Sequence, residues 1–348
     1  MQPSHIEQSS HIKDSFPSTK TQSWRMMQKK SITSFTALYA LHNKTVPKNI
    51  LESTRTPAHF PLLLPLRLAK KINLDDPLDP LLLQFVPSNS LTNQIEPVKD
   101  PLAEMSAQIT PRLLKKYSGR TLFLPTSACA MHCRYCFRQE YPYEKSSPSK
   151  LGVQLFYQDE LAAIKKDSSI QEVILSGGDP LSLSNAILHD IIQELESIPH
   201  IRRVRWHTRF LIGIPERVDE GLLKIFTRSH LTHYMVLHIN HPREIDVDFS
   251  SYLKKLRFSG VTLLAQAVLL HQVNDHIDTL HELSESLSNA GVLFYYLHQI
   301  DPIEAACPFW VPPQKGKDLI NALRERTSGY GVPTYVSEIA YEKSKTPL

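Results

Sequence analysis

Short apolar runs separated by amphipathic segments dominate the chain from about residue 120 onward. In two of the intervening segments, 184–198 and 279–290, apolar residues recur every three or four positions, which predicts helices. A further helix is predicted at about 313–328, because it follows Pro312 and Pro313 and stops at Gly329. Ser184 is a typical N-cap residue for the first of these helices, and Gly291 suits the C-terminal cap of the helix at 279–290. The apolar runs themselves predict six strands, at 121–125, 171–177, 203–208, 233–240, 261–270 and 292–300.

Strands that alternate with helices predict a parallel sheet, either an open doubly wound sheet or an incomplete barrel. Polar residues lie at the ends of most of these strands: Ser176 to Asp179, Thr208, Arg209, His238, Asn240, Gln266 and Asp301. A barrel gathers functional groups at the C-terminal ends of all its strands, whereas an open sheet concentrates them at one switch point. We therefore predict an α/β fold built on a partial (β/α)6 TIM-type barrel.

The segments outside the predicted barrel differ from it in pattern. The first residues are polar, and the following stretch is mostly helical and interrupted by prolines, without an evident catalytic constellation. We predict a disordered leader at 1–21, an N-terminal helical region at 22–110, the barrel at 111–312, and a C-terminal helix and tail at 313–348.

Composition narrows the classes of function. The chain has 348 residues, 41% hydrophobic and 21% charged, with a formal net charge of +4. These values are typical of a soluble globular protein, and no long block of Lys and Arg indicates a nucleic-acid partner. The most apolar stretch, "FPLLLPLRLA", is too short and too interrupted to span a membrane, and the N-terminus lacks the apolar core of a signal peptide. The sequence therefore predicts a cytoplasmic protein without a membrane partner.

Three of the four cysteines, Cys129, Cys133 and Cys136, lie close together in the loop after the first predicted strand. A structural zinc site needs four protein ligands, and only His132 or the remote Cys307 is available as the fourth. Buried free thiols without a function are a second alternative. A four-iron cluster held by three cysteines is the third, and it leaves one iron open to an external ligand. We favour the cluster.

A second motif, "SGGDPL", follows the second predicted strand. Its two glycines, Gly177 and Gly178, allow the backbone to approach a ligand closely, and Asp179 offers an acceptor for an ammonium group. The alternative is an ordinary turn of Gly-Asp-Pro composition. The position after a barrel strand favours the functional interpretation.

The Cys-x3-Cys-x2-Cys spacing resembles the signature of radical S-adenosylmethionine enzymes. The ordered motifs "CRYCFR", "SGGDPL", "HTR", "HINHPREID", "QAVLLHQVND" and "YYLHQID" resemble the lysine 2,3-aminomutase family from about residue 110 to the end. The final "SKTPL" is most similar to the branch that makes (R)-β-lysine for attachment to elongation factor P. The resemblance implies an isomerase, an intramolecular aminotransferase that uses a [4Fe-4S] cluster, S-adenosyl-L-methionine and pyridoxal 5′-phosphate (PLP).

The resemblance also implies roles for individual residues around the cofactors. It places PLP on Lys345, with Lys343 as the nearest competitor, and places Arg120 and more weakly Lys116 at the PLP phosphate. The loop from Ser176 to Asp179 would hold the methionine amino group. A lysine so close to a chain end is otherwise typical of a solvated, frayed terminus, so the tail is expected to fold into the barrel mouth.

For the substrate, the resemblance assigns Arg138 to the α-carboxylate and the pair Asp301 and Glu338 to the distal ammonium group. It assigns His238 and Gln266 to the S-adenosylmethionine pocket, although a satisfied polar group at a strand end explains either residue equally well.

The implied partners are L-lysine, an external one-electron reductant, and a functional link to the lysyl ligase of elongation factor P, in a monomer or loose dimer. Two positions depart from the family pattern: Gln139 stands where a second arginine is usual, and Pro308 stands in a segment that usually reads His-Phe. An aminomutase for another amino acid or for free-lysine catabolism remains an alternative, as does a non-catalytic iron–sulfur or zinc protein.

Overall fold

A computed structural model describes residues 23–48, 50, 61–87, 95–98, 100–139, 141–142 and 152–348. The predicted leader at 1–21 lies outside the described residues. Within them, the strands form one sheet in chain order. They are β1 (Gln108–Thr110), β2 (Leu113–Leu114), β3 (Arg120–Phe123), β4 (Glu172–Leu175), β5 (Arg203–Thr208), β6 (Thr232–His238), β7 (Thr262–Val268), β8 (Leu293–His298), β9 (Thr334–Ser337) and β10 (Thr346–Pro347).

Strands β3 to β9 pair in parallel, while β1, β2 and β10 extend the two edges of this sheet with antiparallel pairing. Residues alternate along the central strands between fully buried and half-exposed, as in the pattern of β5. The half-exposed face of every strand from β3 to β8 lines one cavity. Strands at opposite ends of a flat sheet cannot reach a common cavity, so the sheet is curved. The predicted partial barrel is confirmed.

Helices cover the outer face of the barrel, and their apolar residues share one core with the sheet. The helices are α1 (Trp24–Lys29), α2 (Phe35–Leu41), α3 (Leu66–Lys71), α4 (Pro80–Phe85), α5 (Val153–Phe156), α6 (Gln158–Lys166), α7 (Asn185–Glu196), α8 (Phe210–Gly213), α9 (Glu220–Arg228), α10 (Val247–Phe258), α11 (Ile277–Asn289) and α12 (Pro313–Arg324). Among the described residues, none of them is long and apolar enough to cross a membrane.

The predicted caps are present, because the Ser184 hydroxyl accepts a hydrogen bond from the Ile187 amide and Gly291 has a φ of +70° beyond α11. The last helix is shorter than predicted. It ends at Arg324 rather than at 328, and the chain then turns through Gly331, whose carbonyl accepts a hydrogen bond from the Ser284 hydroxyl. The prediction also missed β9, which adds a seventh parallel strand beside β8.

The N-terminal region packs directly on the barrel. Leu38, Leu64 and Leu68 are fully buried in the core that the barrel strands share. The Trp24 ring meets the Phe210 ring edge-on at 5.8 Å, just beyond the end of β5. Burial of this many apolar side chains stabilises the contact, at about 1.5–3 kcal/mol for each large side chain removed from water.

Candidate active site

The interior of the barrel holds a cavity of about 660 Å³. Its walls come from strands β3 to β8 and from the segments before β3 and around β9 and β10. Every site residue predicted from the sequence lines this cavity: Lys116, Arg120, Cys129, Cys133, Cys136, Arg138, Ser176, Gly177, Gly178, Asp179, His238, Gln266, Asp301, Glu338 and Lys345. Residues from both ends of the chain therefore share one space.

The cysteine loop follows β3 and is held by the N-terminal region. The His132 amide donates to the Leu63 carbonyl at 2.9 Å, and the Arg134 amide donates to the Gln84 carbonyl at 2.9 Å. Gln139 folds back on the same loop and donates to the Arg134 carbonyl at 2.8 Å. The residue that departs from the family pattern thus helps to close the loop.

The three thiols form a donor set that fits an iron–sulfur cluster. Burial, together with the neighbouring Cys133 thiol, raises the pKa of Cys136 to about 11, and burial also raises the pKa of Cys129 and Cys133. Burial and the neighbouring thiols disfavour the thiolate forms, so a bound cationic metal would have to stabilise them. Each cysteine of a four-iron cluster binds a different iron. The described residues contain no group of three His, Cys, Asp or Glu side chains arranged around a single ion.

The two alternative fourth ligands for zinc lie elsewhere. The His132 Nδ1 atom is 2.7 Å from the Pro61 carbonyl oxygen. Cys307 is fully buried and does not line the cavity. Neither residue lines the cavity, so the described wall offers a donor set of three cysteines, which fits an iron–sulfur cluster better than structural zinc with four protein ligands.

Arg209, at the end of β5, was not assigned a role from the sequence. Its Nη1 atom is 3.0 Å from the Cys133 Sγ atom and contacts the Tyr135 hydroxyl, while Nη2 donates to Gln84 at 2.7 Å and to Glu244 at 3.2 Å. Burial opposes its charge, but Cys133, Tyr135 and Glu244 raise its pKa above the ordinary value. A permanent cation therefore lies against Cys133, one of the three predicted cluster ligands. "HTR" was the only sequence signal, and it does not reveal burial.

The two glycines after β4 approach the chain segment that leads into the cysteine loop. Gly177 has a φ of +110°, and a side chain there would meet the Thr126 carbonyl oxygen at 2.3 Å. A side chain at Gly178 would meet the Ala128 carbonyl oxygen at 2.4 Å. Only glycine fits both positions, so this pair allows the close approach of the segment that leads into Cys129.

Asp179 lies in a dense set of hydrogen bonds within the protein. Its carboxylate accepts hydrogen bonds from the amides of Leu181 (3.0 Å), Arg209 (2.7 Å) and Phe210 (3.0 Å), and from the Thr208 hydroxyl at 2.9 Å. Burial raises the Asp179 pKa to about 6 against the effect of these bonds. These bonds join the glycine loop to the end of β5, and the role of Asp179 at the methionine amino group stays a prediction.

His238 and Gln266 are paired in register on neighbouring strands β6 and β7. Burial and the nearby Arg209 charge lower the His238 pKa to about 3, so its imidazole is neutral at pH 7. Its Nε2 atom is 3.2 Å from the Asn240 side-chain oxygen, and the Gln266 side-chain oxygen is 3.5 Å from the Tyr295 hydroxyl. This part of the wall is polar without net charge.

The C-terminal tail reaches the cavity through a hairpin. Strand β10 pairs with β9 so that Thr346 lies opposite Ser337, which places Lys345 opposite Glu338. The Lys345 Nζ atom is 2.5 Å from a Glu338 oxygen. Lys345 is partly buried and lines the cavity, whereas Lys343 is exposed and does not.

The two acids assigned to the substrate ammonium have opposite environments. For Glu338, Lys345 and Lys116 outweigh the effect of burial and lower the pKa to about 2; Lys116 Nζ lies 2.8 Å from its second oxygen. For Asp301, burial and the Glu338 charge raise the pKa to about 7. The pair therefore carries between one and two negative charges at neutral pH.

Several cavity groups near Lys345 are candidates to hold PLP. Arg120 lies over the Tyr117 ring with its guanidinium carbon 4.5 Å from the ring centre, and it faces the cavity. The Nε2 atoms of His207 and His298 have no hydrogen-bond partner among the described residues, although both are buried. Burial comes first among the causes that hold the pKa of each well below its usual value, followed by Arg205 at His207 and by Lys345 at His298. Neutral, unpaired imidazole atoms beside a lysine amine fit an aromatic, phosphorylated cofactor.

Arg138 forms a pair that the sequence did not indicate. Its Nε and Nη2 atoms donate to the two carboxylate oxygens of Glu104 at 3.1 and 2.8 Å. Glu104 is only 6% exposed and belongs to a region in which no constellation was recognised. Nothing in the local pattern distinguishes a buried acid there from an exposed one.

Comparisons with known proteins agree with this geometry. Residues 118–208 match the family model described as "4Fe-4S single cluster domain". The chain is 41% identical over 288 residues to L-lysine 2,3-aminomutase of Haemophilus influenzae, covering 82% of this chain and 84% of that one. It is 39% identical over 317 residues to L-lysine 2,3-aminomutase of Escherichia coli, covering 89% and 90%. The protein of the same name from Buchnera aphidicola is 38% identical, covering 82% and 83%.

Proposed function

The chain belongs to the L-lysine 2,3-aminomutase family, and on that premise we propose that it converts L-α-lysine to (R)-β-lysine as an intramolecular aminotransferase. The observation that carries this function is a single cavity lined by three cysteines, by Lys345, and by the pair Asp301 and Glu338. The reaction needs the cysteine-bound cluster, the PLP lysine and the acidic pair within reach of one substrate molecule. No other cavity residue has to act as a strong base.

When bound, a [4Fe-4S] cluster with S-adenosyl-L-methionine supplies a carbon-centred radical, and PLP supplies the carbonyl group that carries the migrating nitrogen. Cys129, Cys133 and Cys136 would hold the cluster. The uncharged wall at His238 and Gln266 suits S-adenosylmethionine, with the backbone of the glycine loop beside it. Arg120 suits the PLP phosphate better than Lys116, because Lys116 is already paired with Glu338.

The chain's own residues bind the two charged ends of lysine. Arg138 offers a planar fork of N–H groups to the α-carboxylate. Glu338 and Asp301 receive the distal ammonium, and Lys345 provides the amine that holds PLP. In the absence of ligands the Lys345 ammonium pairs with Glu338. With PLP bound to Lys345, Glu338 would lose the Lys345 ammonium as a partner and would be shared between Lys116 and the substrate ammonium.

The proposal extends to a cellular role in modifying elongation factor P. The tail "SKTPL" supports that branch. Glu338 supports it too, because the branch resembles this chain in having Glu at this position, whereas the catabolic enzymes have Asp. A lysyl ligase would then consume the product, and an external one-electron reductant would supply the electron. We further propose that the protein is cytoplasmic and a monomer or loose dimer.

The second candidate is an aminomutase for another amino acid, or one that serves free-lysine catabolism. The acidic pair favours a cationic side chain, because Lys116 alone would face the two acids Asp301 and Glu338 once Lys345 is engaged. The pair does not distinguish the catabolic role from modification of elongation factor P.

The direct test is anaerobic incubation of the reconstituted protein with L-lysine, PLP, S-adenosylmethionine and a reductant, followed by chiral analysis. We expect (R)-β-lysine, and no product when S-adenosylmethionine is left out. Turnover of another amino acid in preference to lysine would reject the proposed substrate, and absence of turnover despite about four iron per chain would reject the activity.

A further inference from the structure

We propose that Glu104 is a positioning residue that aligns Arg138 and thereby sets the affinity for the α-carboxylate of the substrate. This inference rests on the proposed function. The Glu104 carboxylate binds one edge of the guanidinium through Nε and Nη2, at 3.1 and 2.8 Å. On the opposite side, Nη1 lies 3.4 Å from the Ser176 hydroxyl at the end of β4. Two parallel bonds fix the plane of a guanidinium more firmly than one long bond does.

The burial of this pair makes it a fixed element of the wall. Glu104 is 6% exposed, and the Arg138 side chain is 10% exposed. A charge at this depth is destabilising unless it is paired, so each partner keeps the other in place. The Glu104 backbone is held as well, since its amide donates to the Asp100 carboxylate at 3.0 Å. Glu104 is therefore a rigid anchor for Arg138.

Glu104 also joins the two ends of the substrate site. Its carboxylate lies 3.8 Å from Lys116 Nζ, and Lys116 continues to Glu338, which continues to Lys345. The result is a chain of alternating charge from Arg138 to Lys345. Without Glu104, the Arg138 and Lys116 cations would face each other without an anion between them.

The same chain explains how a zwitterionic ligand is accommodated. Lysine brings a carboxylate to Arg138 and an ammonium to Glu338. At the carboxylate end, Arg138 and Lys116 then face two anions, Glu104 and the substrate, and the charges balance. Glu104 remains in place and fixes the orientation in which Arg138 meets the ligand. Removing Glu104 would leave Arg138 misaligned, although the local charge would be more positive.

The test uses the full chain carrying cluster, PLP and S-adenosylmethionine but no reductant, so that lysine binds without turnover. We expect Glu104→Gln to weaken lysine binding about tenfold by calorimetry, equivalent to about 1.4 kcal/mol. Binding of L-lysinamide, which lacks the carboxylate charge, should change less than about twofold. With reductant present, KM should rise more than kcat falls.

Two further variants complete the design. Glu104→Asp keeps the charge on a shorter side chain and should have an intermediate affinity, which also tests the inference if the Gln variant fails to fold. Glu96→Gln makes the same chemical change at an exposed position and should bind lysine as the parent does.

Three results would overturn the inference. Equal loss of affinity for lysine and lysinamide would mean that Glu104 is only structural. Tighter lysine binding by Glu104→Gln would mean that Glu104 competes with the substrate for Arg138. If the unmodified protein binds no lysine, the proposed function fails, and the inference fails with it.

Discussion

The two ends of the cavity are built in different ways. At the cysteine end, the three thiols come from one loop. The residues around them, among them Arg209 and the neutral His238, form hydrogen bonds within the protein. At the lysine end, Glu338 and Lys345 come from the last hairpin, while Lys116 and Glu104 come from segments ahead of the barrel. The thiols of the cysteine end thus come from one loop, whereas the charged groups of the lysine end come from distant segments of the chain.

This difference matches two chemical tasks. A radical must be generated where water and stray hydrogen donors are excluded, which a closed and rigid wall provides. A zwitterionic amino acid with a cationic side chain must be recognised by its charges, which a set of replaceable ion pairs provides. Lys345 belongs to the second set, because it pairs with Glu338 and would lose that pair on binding PLP as proposed.

The comparison predicts that the cysteine end can be disabled without disturbing the lysine end. Cys136→Ala should abolish turnover, by about a thousandfold or more, because the radical cannot form without an intact cluster. Iron content should fall, while PLP attachment at Lys345 should persist. Iron analysis and borohydride reduction measure the two ends separately.

Cys307→Ala is the matched control for this experiment. Cys307 is buried outside the cavity lining, so its removal should leave a cavity and lower stability by a modest amount, with iron content unchanged. Equal loss of iron in both variants would contradict the assignment of three cluster ligands.

A smaller effect is expected at the lysine end, where the charge of Asp301 should make the affinity for lysine depend on pH. The raised Asp301 pKa, about 7, means that this acid is protonated below neutrality and gains its charge as the pH rises. Affinity for lysine should therefore increase between pH 6 and 8, by up to about tenfold, because a second anion then faces the substrate ammonium. Calorimetric titrations at several pH values measure it.

Asp301→Asn is the control for the pH dependence. This variant should bind lysine weakly at all pH values and lose the part of the pH dependence that belongs to Asp301, with cluster and PLP retained. A pH profile identical to that of the parent protein would assign the titration to another group.

The same contrast explains what the sequence was able to predict. The cysteine loop and the six strands follow from spacing and periodicity, which are local properties. The glycine pair was recognised too, although its close approach is to the chain before Cys129 rather than to a ligand. At Asp179 the local pattern did not reveal the hydrogen bonds to the Arg209 and Phe210 amides, which only the fold brings close.

The charged end depends on pairings that no local pattern encodes. Strand β9 is four residues long and β10 is two, so the hairpin that brings in Lys345 has too weak a signal to predict. Family resemblance identified Lys345 and Glu338, but it did not point to Glu104 or Arg209. Both are buried charged residues, and burial of a charge is decided by tertiary partners.

The central claim is that Lys345 of the tail and the cysteine loop line one active-site cavity, in which Lys345 binds PLP. The site of PLP attachment tests this claim most directly. Borohydride reduction of the PLP-loaded protein, followed by peptide mapping, should place the label on Lys345 and leave the exposed Lys343 unlabelled. Lys345→Ala should abolish labelling, and Lys343→Ala should retain it. Label on Lys343, or on no residue of the tail, would contradict the account.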